Sequence, residues 1–281
     1  DHLVGFDGDD VIVGLGGSDM LLGGAGSDFL AGFTGEDSAF GGAGDDTILG
    51  GDDADLIFGD AGDDRIFADD GDDLVNAGDG DDMVIGGDGN DYIVADKSDG
   101  NDVYFGDEIN GGNGIDTLDM SVLTMAVTVD LGTGLGGHGS ALSGQVGNDT
   151  LWGIENVLTG SGADTIEASA SVNVMDGGAG NDRFVFGSLA AADGDTIVGF
   201  ETGDKLDLGG IDALANVAGN QSFTLVSGSE LTATGQLAIS NEVIDGVEYT
   251  VVSGNVDANN EADFRINIRG THNLSATDFN L

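Results

Sequence analysis

Gly41-Gly42-Ala43-Gly44-Asp45-Asp46-Thr47-Ile48-Leu49 has copies of itself on both sides. Residues 23–31 read GGAGSDFLA and residues 86–94 read GGDGNDYIV. The unit is Gly-Gly-x-Gly-x-Asp followed by three mostly apolar residues. Its sixth residue recurs every nine positions without a miss: Asp1, Asp10, Asp19, Asp28, Asp37, Asp46, Asp55, Asp64, Asp73, Asp82 and Asp91. A short unit repeated in register is the mark of a solenoid, in which each unit stacks on copies of itself. The repeated residue is a hard oxygen ligand, so the period points to a metal as well as to a fold.

Other positions say how the unit folds. The fourth is glycine in nine of ten complete units, with Asp53 the exception; Ala68 and Ala77 replace glycine at the first. Glycine at fixed offsets implies backbone angles that a side chain disfavours. Two residues after each aspartate stands Leu3, Ile12, Leu21, Leu30, Ala39, Ile48, Ile57, Ile66, Val75, Val84 or Ile93. A three-residue strand turns one side chain in and two out, and this central residue is the inward one. Two units then make one coil of turn, strand, turn, strand. Ten complete units give five coils, or about 24 Å of parallel β-roll at the usual strand spacing. Its core is a thin double row of Leu, Ile and Val.

These residues closely resemble the RTX nonapeptide of type I secreted bacterial proteins. The resemblance implies an all-β fold: a calcium-bound parallel β-roll followed by a C-terminal β-rich capping domain. It also implies several Ca2+ ions between adjacent coils. Sixth-position aspartates would supply carboxylates: Asp1, Asp10, Asp19, Asp28, Asp37, Asp46, Asp55, Asp64, Asp73, Asp82 and Asp91, with Asp102, Asp116 and Asp182 in later repeat-like contexts. Turn carbonyls would come from near Gly8, Gly17, Gly26, Gly44, Gly62, Gly71, Gly80 and Gly89. The turns with Ala68, Ala77 and Asp53 depart from the pattern, and residues 33–37, followed by Ala39, form the least regular unit. Read without a metal, the stacked carboxylates would repel one another.

Composition agrees. Fifty-three acidic residues face six basic ones, for a formal charge of −47. That excludes ordinary nucleic-acid binding, which needs a basic footprint, and disfavours anionic membrane surfaces. There is no cysteine and no proline. A secreted chain of this kind needs another staple, which calcium would provide, and uninterrupted strand pairing suits the lack of proline. No stretch is long and apolar enough to be a transmembrane segment. The sequence opens on Asp1, the sixth position of a repeat already under way. It is therefore expected to be a fragment or processed product, in which an N-terminal signal peptide would not be visible.

After Val94 the period slips. Asp102 follows Asp91 by eleven residues and Asp116 follows by fourteen more. Gly100-Asn101-Asp102 and Gly111-Gly112-Asn113-Gly114-Ile115-Asp116 keep the repeat's character. Residues 126–131 alternate as a strand before a Gly-rich turn. Residues 148–157 and 162–166 read as decayed coils, and one full repeat, GGAGNDRFV, returns at residues 177–185. The expected division is a roll over 1–119, a degenerate continuation over 120–183 and a cap over 184–281. Residues 182–186, 195–200, 204–208 and the ending around Phe264, Phe279 and Leu281 resemble the C-terminal domain of serralysin-type proteases. That resemblance implies an uncleaved secretion signal, type I ABC export machinery as a partner, and a secreted or cell-surface location in a Gram-negative bacterium. Asn280 interrupts the family's usual apolar ending.

No catalytic site is visible. His2, His138 and His272 are scattered and none belongs to HExxH; no G-x-S-x-G occurs. Carboxylate pairs such as Asp45-Asp46 read as a ligand beside a solvated acid, His138 as a surface residue, and Trp152 as core or cap. One anomaly stands out: residues flanking the inward one are often apolar, among them Phe29, Leu49, Phe58, Phe67, Met83, Ile85 and Tyr92. Exposed apolar stripes mark an interface, or the later domain covers one face. The expected function is a non-catalytic, secreted calcium-binding structural protein of adhesive, matrix or surface-layer type. It would fold on calcium and have self-association or a cell-surface or polysaccharide partner. The alternatives are a secretion and folding module of an enzyme (protease, lipase or polysaccharide-modifying), or a secreted signalling protein like the calcium-binding nodulation protein of rhizobia.

Overall fold

The computed structural model describes residues 1–97, 99–105, 114–132, 138–226, 228–257 and 259–281. Residues 111–113 of the repeat-like context before Asp116, and most of the Gly-rich turn after Leu131, lie outside them. Among the described residues the strands form two long sheets of 14 and 13 strands. The chain alternates between them, so each coil adds one strand to each sheet. Val11–Gly16 pairs in parallel with Phe29–Thr34, and Met20–Ala25 with Ser38–Ala43. Each partner lies 18 residues on, which is two repeats.

The strands are longer than the three residues expected. The first ten run for six residues each, from Val11 to Gly16 and from Thr47 to Asp52, for example. Stacked units have the same backbone path, so pairing continues past the apolar triplet into the glycine turn: Phe6 still faces Gly24, and Asp7 faces Ala25. The longer strand turns a second residue inward. Beside the expected inward row of Leu21, Leu30, Ile48, Ile57, Ile66, Val75, Val84 and Ile93, fully buried, lie Ala68 and Ala77 from the first position. At these two places alanine stands where the other complete units have glycine.

Coils continue beyond the regular repeats. Met83 pairs with Val103, 20 residues on; Tyr92 with Thr117; Val103 with Thr150. An antiparallel excursion, Thr128–Asp130 against Gly139–Ser143, is stitched into the second sheet between Gly147–Trp152 and Thr165–Glu167. Residues Arg183–Val185, Thr196–Val198 and Lys205–Asp207 then extend the same two sheets. A long hairpin, Gln236–Ile244 with Val247–Asn255, and the strand Phe264–Arg269 close the first sheet. Phe279–Asn280 pairs with Leu206 and Asp207 to close the second. The core thickens toward this end, where Phe184, Phe186 and Phe264 are fully buried.

Candidate metal centre

Each turn brings its aspartate back to the edge of the coil, just before the next strand begins. There the carboxylate reaches to the preceding coil. Oδ1 of Asp28 accepts the backbone N–H of Asp10 at 2.7 Å, and Oδ1 of Asp46 that of Asp28 at 2.7 Å. The other edge repeats this through Asp19, Asp37, Asp55 and Asp73 at 2.7–2.8 Å. Two ladders of aspartates therefore run up the two edges of the roll.

The second oxygen is different. Oδ2 of Asp10, Asp19, Asp28, Asp37, Asp46, Asp55, Asp64, Asp73 and Asp82 is buried with no hydrogen-bond partner. A buried, unsatisfied carboxylate oxygen is costly. Here the cost recurs at every turn, which points to a group that must arrive from outside. The oxygens nearby suit a hard cation. A Cβ at Gly5 would lie 2.5 Å from Asp10 Oδ2 and 2.5 Å from the Gly23 carbonyl oxygen. Carboxylate and carbonyl thus converge on the niche that first-position glycine leaves open. Calcium takes six to eight such oxygens. Magnesium, with its small octahedron, fits a carbonyl-rich turn less well.

Electrostatics argue in the same direction. Burial, reinforced by neighbouring aspartates, pushes the Asp55, Asp64, Asp73 and Asp82 carboxyls up to about 7, and Asp46 to about 6. A bound cation would stabilise the ionised form and offset both effects. Among the described residues no three acidic or histidine side chains gather to enclose an ion alone. That is compatible with sites that draw partly on backbone carbonyls.

The structure places most of the expected residues in these ladders. The irregular unit conforms: Asp37 accepts from Asp19 and Ala39 is buried. At Asp53, φ is +77°, so aspartate keeps the glycine conformation. Asp102 and Asp116 continue the ladders, accepting from Asp82 and Asp91 at 2.8 and 2.9 Å. Asp182 does so too, accepting from Asp164 at 2.8 Å. Asp1 does not. The carboxylates reach backward along the stack, and in this first coil its side chain stays 85% exposed. The fourth-position carbonyls point along the stack, as Gly8 does toward Gly26, whereas the carbonyls beside the free Oδ2 atoms belong to first-position residues such as Gly23 and Gly41.

Beyond the expected residues, Glu155 accepts the Asp116 N–H at 3.1 Å, and four ladder aspartates were missed by sequence reasoning. Asp149, Asp164, Asp195 and Asp204 accept the backbone N–H of Asp102, Val127, Asn173 and Asp182. Their signal was an aspartate two residues before a buried apolar one: Leu151, Ile166, Ile197 and Leu206. Trp152 is neither core nor cap. It lies half-buried on an outer face, its ring 5.3 Å from that of the exposed His138.

A family model described as RTX calcium-binding nonapeptide repeat (4 copies) matches residues 1–30, 31–66 and 58–93. A second, described as Peptidase M10 serralysin C terminal, matches residues 89–281. Neither is a catalytic domain. No curated protein matches the chain. The combination is that of a type I secreted, calcium-binding protein. Since the second match takes in well over half of the 281 residues, the chain belongs to the serralysin C-terminal family, joined here to RTX calcium-binding repeats.

Proposed function

We propose that the protein is a structural or surface component, of adhesive, matrix or surface-layer type, on the outside of a Gram-negative bacterium. Its roll folds when calcium enters the two aspartate ladders and then associates through its outer faces. The observation that carries this reading is the row of buried Oδ2 atoms without protein partners from Asp10 to Asp82. In this proposal those aspartates, with Asp91, Asp116 and Asp182, hold several ions together with turn carbonyls, while Asp102, expected among them, has both oxygens taken by the Asp82 N–H and the Tyr104 hydroxyl. The division into a regular roll (1–119), a degenerate continuation (120–183) and a capping C-terminal part (184–281) belongs to the same proposal.

The case for association rests on the outer faces. Leu22, Phe40 and Phe58 stack on one sheet, and Leu49, Phe67 and Ile85 on the other. The Phe40 and Phe58 rings are parallel, 5.2 Å apart, so each ring is partly covered by its neighbour. The strands of the C-terminal part pair at the far end of the sheets. Calcium lowers the repulsion between acidic chains, and apolar faces are then free to meet. Light scattering in calcium is expected to detect oligomers of the wild type and a monomeric Phe58→Ser/Phe67→Ser double variant. Two monomers at high concentration would refute the association.

A second reading is supported by the family's own description as the C-terminal part of a peptidase. There the roll is the secretion and folding module of an enzyme, and any outer-face association is incidental. Sequencing the gene upstream of Asp1 separates the two: a catalytic motif favours the module, more repeats or adhesive domains the structural protein.

A further inference from the structure

Among aspartates at the third turn position, Asp7, Asp52, Asp70 and Asp79 are exposed, whereas Asp99 is buried to 1%. Its unit is two residues longer than a nonapeptide, since Asp91 to Asp102 is eleven. The backbone nevertheless keeps its place in the stack, with Gly80 N–H donating to the Asp99 carbonyl at 3.0 Å. The side chain has turned inward, and neither carboxylate oxygen meets a partner on another residue. Asp149 reaches back from the next coil to the Asp102 N–H at 3.2 Å, three residues along the chain from Asp99, and both Asp102 and Asp149 repel the Asp99 carboxylate.

The chemistry of the ladder also changes here. The inward residue of the strand is Tyr104 instead of an aliphatic residue, and it is fully buried. Its hydroxyl donates to Asp102 Oδ2 at 2.6 Å. Oδ1 of Asp102 already accepts the Asp82 N–H. Both Asp102 oxygens are therefore taken, including the one left free at Asp64 and Asp82. Asp149, in the next coil, keeps a buried Oδ2 without a partner and is itself fully buried.

The geometry points to a divalent-cation site out of register with the nonapeptides, in which Asp99 supplies the carboxylate that Asp102 has given to Tyr104. Asp99 and Asp149 are its two acidic ligands. Backbone oxygens and water complete the shell, as a calcium-sized ion requires. Tyr104 is a positioning residue, holding Asp102 back from the ion. The inference rests on the calcium reading of the ladders only for the identity of the ion.

Counting bound calcium tests it, by equilibrium dialysis of the whole folded chain followed by metal analysis. Asp99→Asn is expected to bind one ion fewer than wild type, and Asp79→Asn, an exposed aspartate at the same turn position, the same number as wild type. Equal counts for Asp99→Asn and wild type would overturn the site and leave the ladders untouched. A wild type that binds no calcium would overturn both. Should Asp99→Asn not fold, terbium provides a second readout. The Tyr104 phenol lies beside the site and should sensitise terbium emission, so Tyr104→Phe should lose part of the tyrosine-excited signal. Unchanged emission would equally overturn the inference.

Discussion

Asp64 and Asp204 stand at equivalent places, each just ahead of a strand of the same sheet, and they are satisfied differently. Each gives one oxygen to the backbone N–H of the coil before it. The second oxygen of Asp64 is buried without a partner, while that of Asp204 accepts the Glu201 N–H at 2.7 Å. Nearby Asp207 goes further. Burial alone would raise its pKa, but Asn280, Arg183 and the Gly209 N–H outweigh that and hold it below the usual range. The core follows the same division: two aliphatic residues per coil in the roll, and Phe184, Phe186, Phe223 and Phe264 toward the C terminus, the last two packed edge to face. The regular roll is left incomplete by its own side chains; in the C-terminal part Asp204 and Asp207 find protein partners, and Asp195 alone of these three keeps a buried Oδ2 without one.

The strongest way to break this contrast is to remove calcium. Metal binding free energy is folding free energy where the site cannot form alone, and the thin core of the roll has little to set against chain entropy and charge repulsion. In chelator, residues 1–94 should exchange their amide hydrogens freely, while residues 236–269 stay protected. Circular dichroism should follow, with a large gain of β signal on calcium addition. A roll that remains protected in chelator would sink the contrast.

A single ligand sharpens it next. Asp46→Ala removes both the bond from the Asp28 N–H and the free Oδ2, and the bond alone contributes about 1–3 kcal/mol. The neighbouring Asp45 accepts only the exposed Asp63 N–H, at 3.1 Å, worth about 0.5 kcal/mol. The calcium midpoint should therefore rise clearly for Asp46→Ala and hardly move for Asp45→Ala. Equal shifts would mean that the register of the ladder is wrong.

Protons should partly replace calcium in the roll. Asp55, Asp64, Asp73 and Asp82 titrate near 7 when folded, against about 3.9 in an unfolded chain. Between those values the folded chain binds more protons, so stability falls as pH rises. Metal-free protein should gain β structure on going from about pH 7.5 to about pH 4.5. Calcium should bind more weakly over the same window, because it must displace those protons. A metal-free spectrum unchanged by acid would show that the buried carboxylates do not limit folding.

The period of nine, the inward aliphatic row and the ladder aspartates from Asp10 to Asp91 could be read from the sequence, because stacking repeats the same local chemistry at every coil. Strand length could not. It depends on how far neighbouring coils overlay, and they overlay into the glycine turns. Nor could the second turn position, where Phe6, Leu15, Phe33, Asp60 and Asp69 adopt positive φ in place of glycine. The stack supports them in a conformation that each would avoid alone. Past Val94 the insertions hide the partner of each coil: Asp102 meets Asp149 across 47 residues. Local sequence carries no record of that distance. What survived was the aspartate two residues ahead of its buried apolar partner.

Asn280 carries the smallest effect, and it tests the other side of the contrast. In sequence it interrupts an apolar ending; in the fold it is a clasp. Its side-chain amide donates to Asp207 Oδ2 at 2.5 Å, and its carbonyl accepts the Leu208 N–H at 2.9 Å. Asn280→Ala keeps the backbone bond and removes the side-chain donor from a buried carboxylate. Asp207 retains Arg183 and Gly209, so the loss should be about 1–2 kcal/mol. It should lower the melting temperature of the C-terminal part in chelator by a few degrees. The calcium midpoint of the roll should stay where it was, since no ladder oxygen between Asp10 and Asp82 is touched. A shifted midpoint with an unchanged melting temperature would show that the end of the chain governs the roll, and that the two regions do not stand apart.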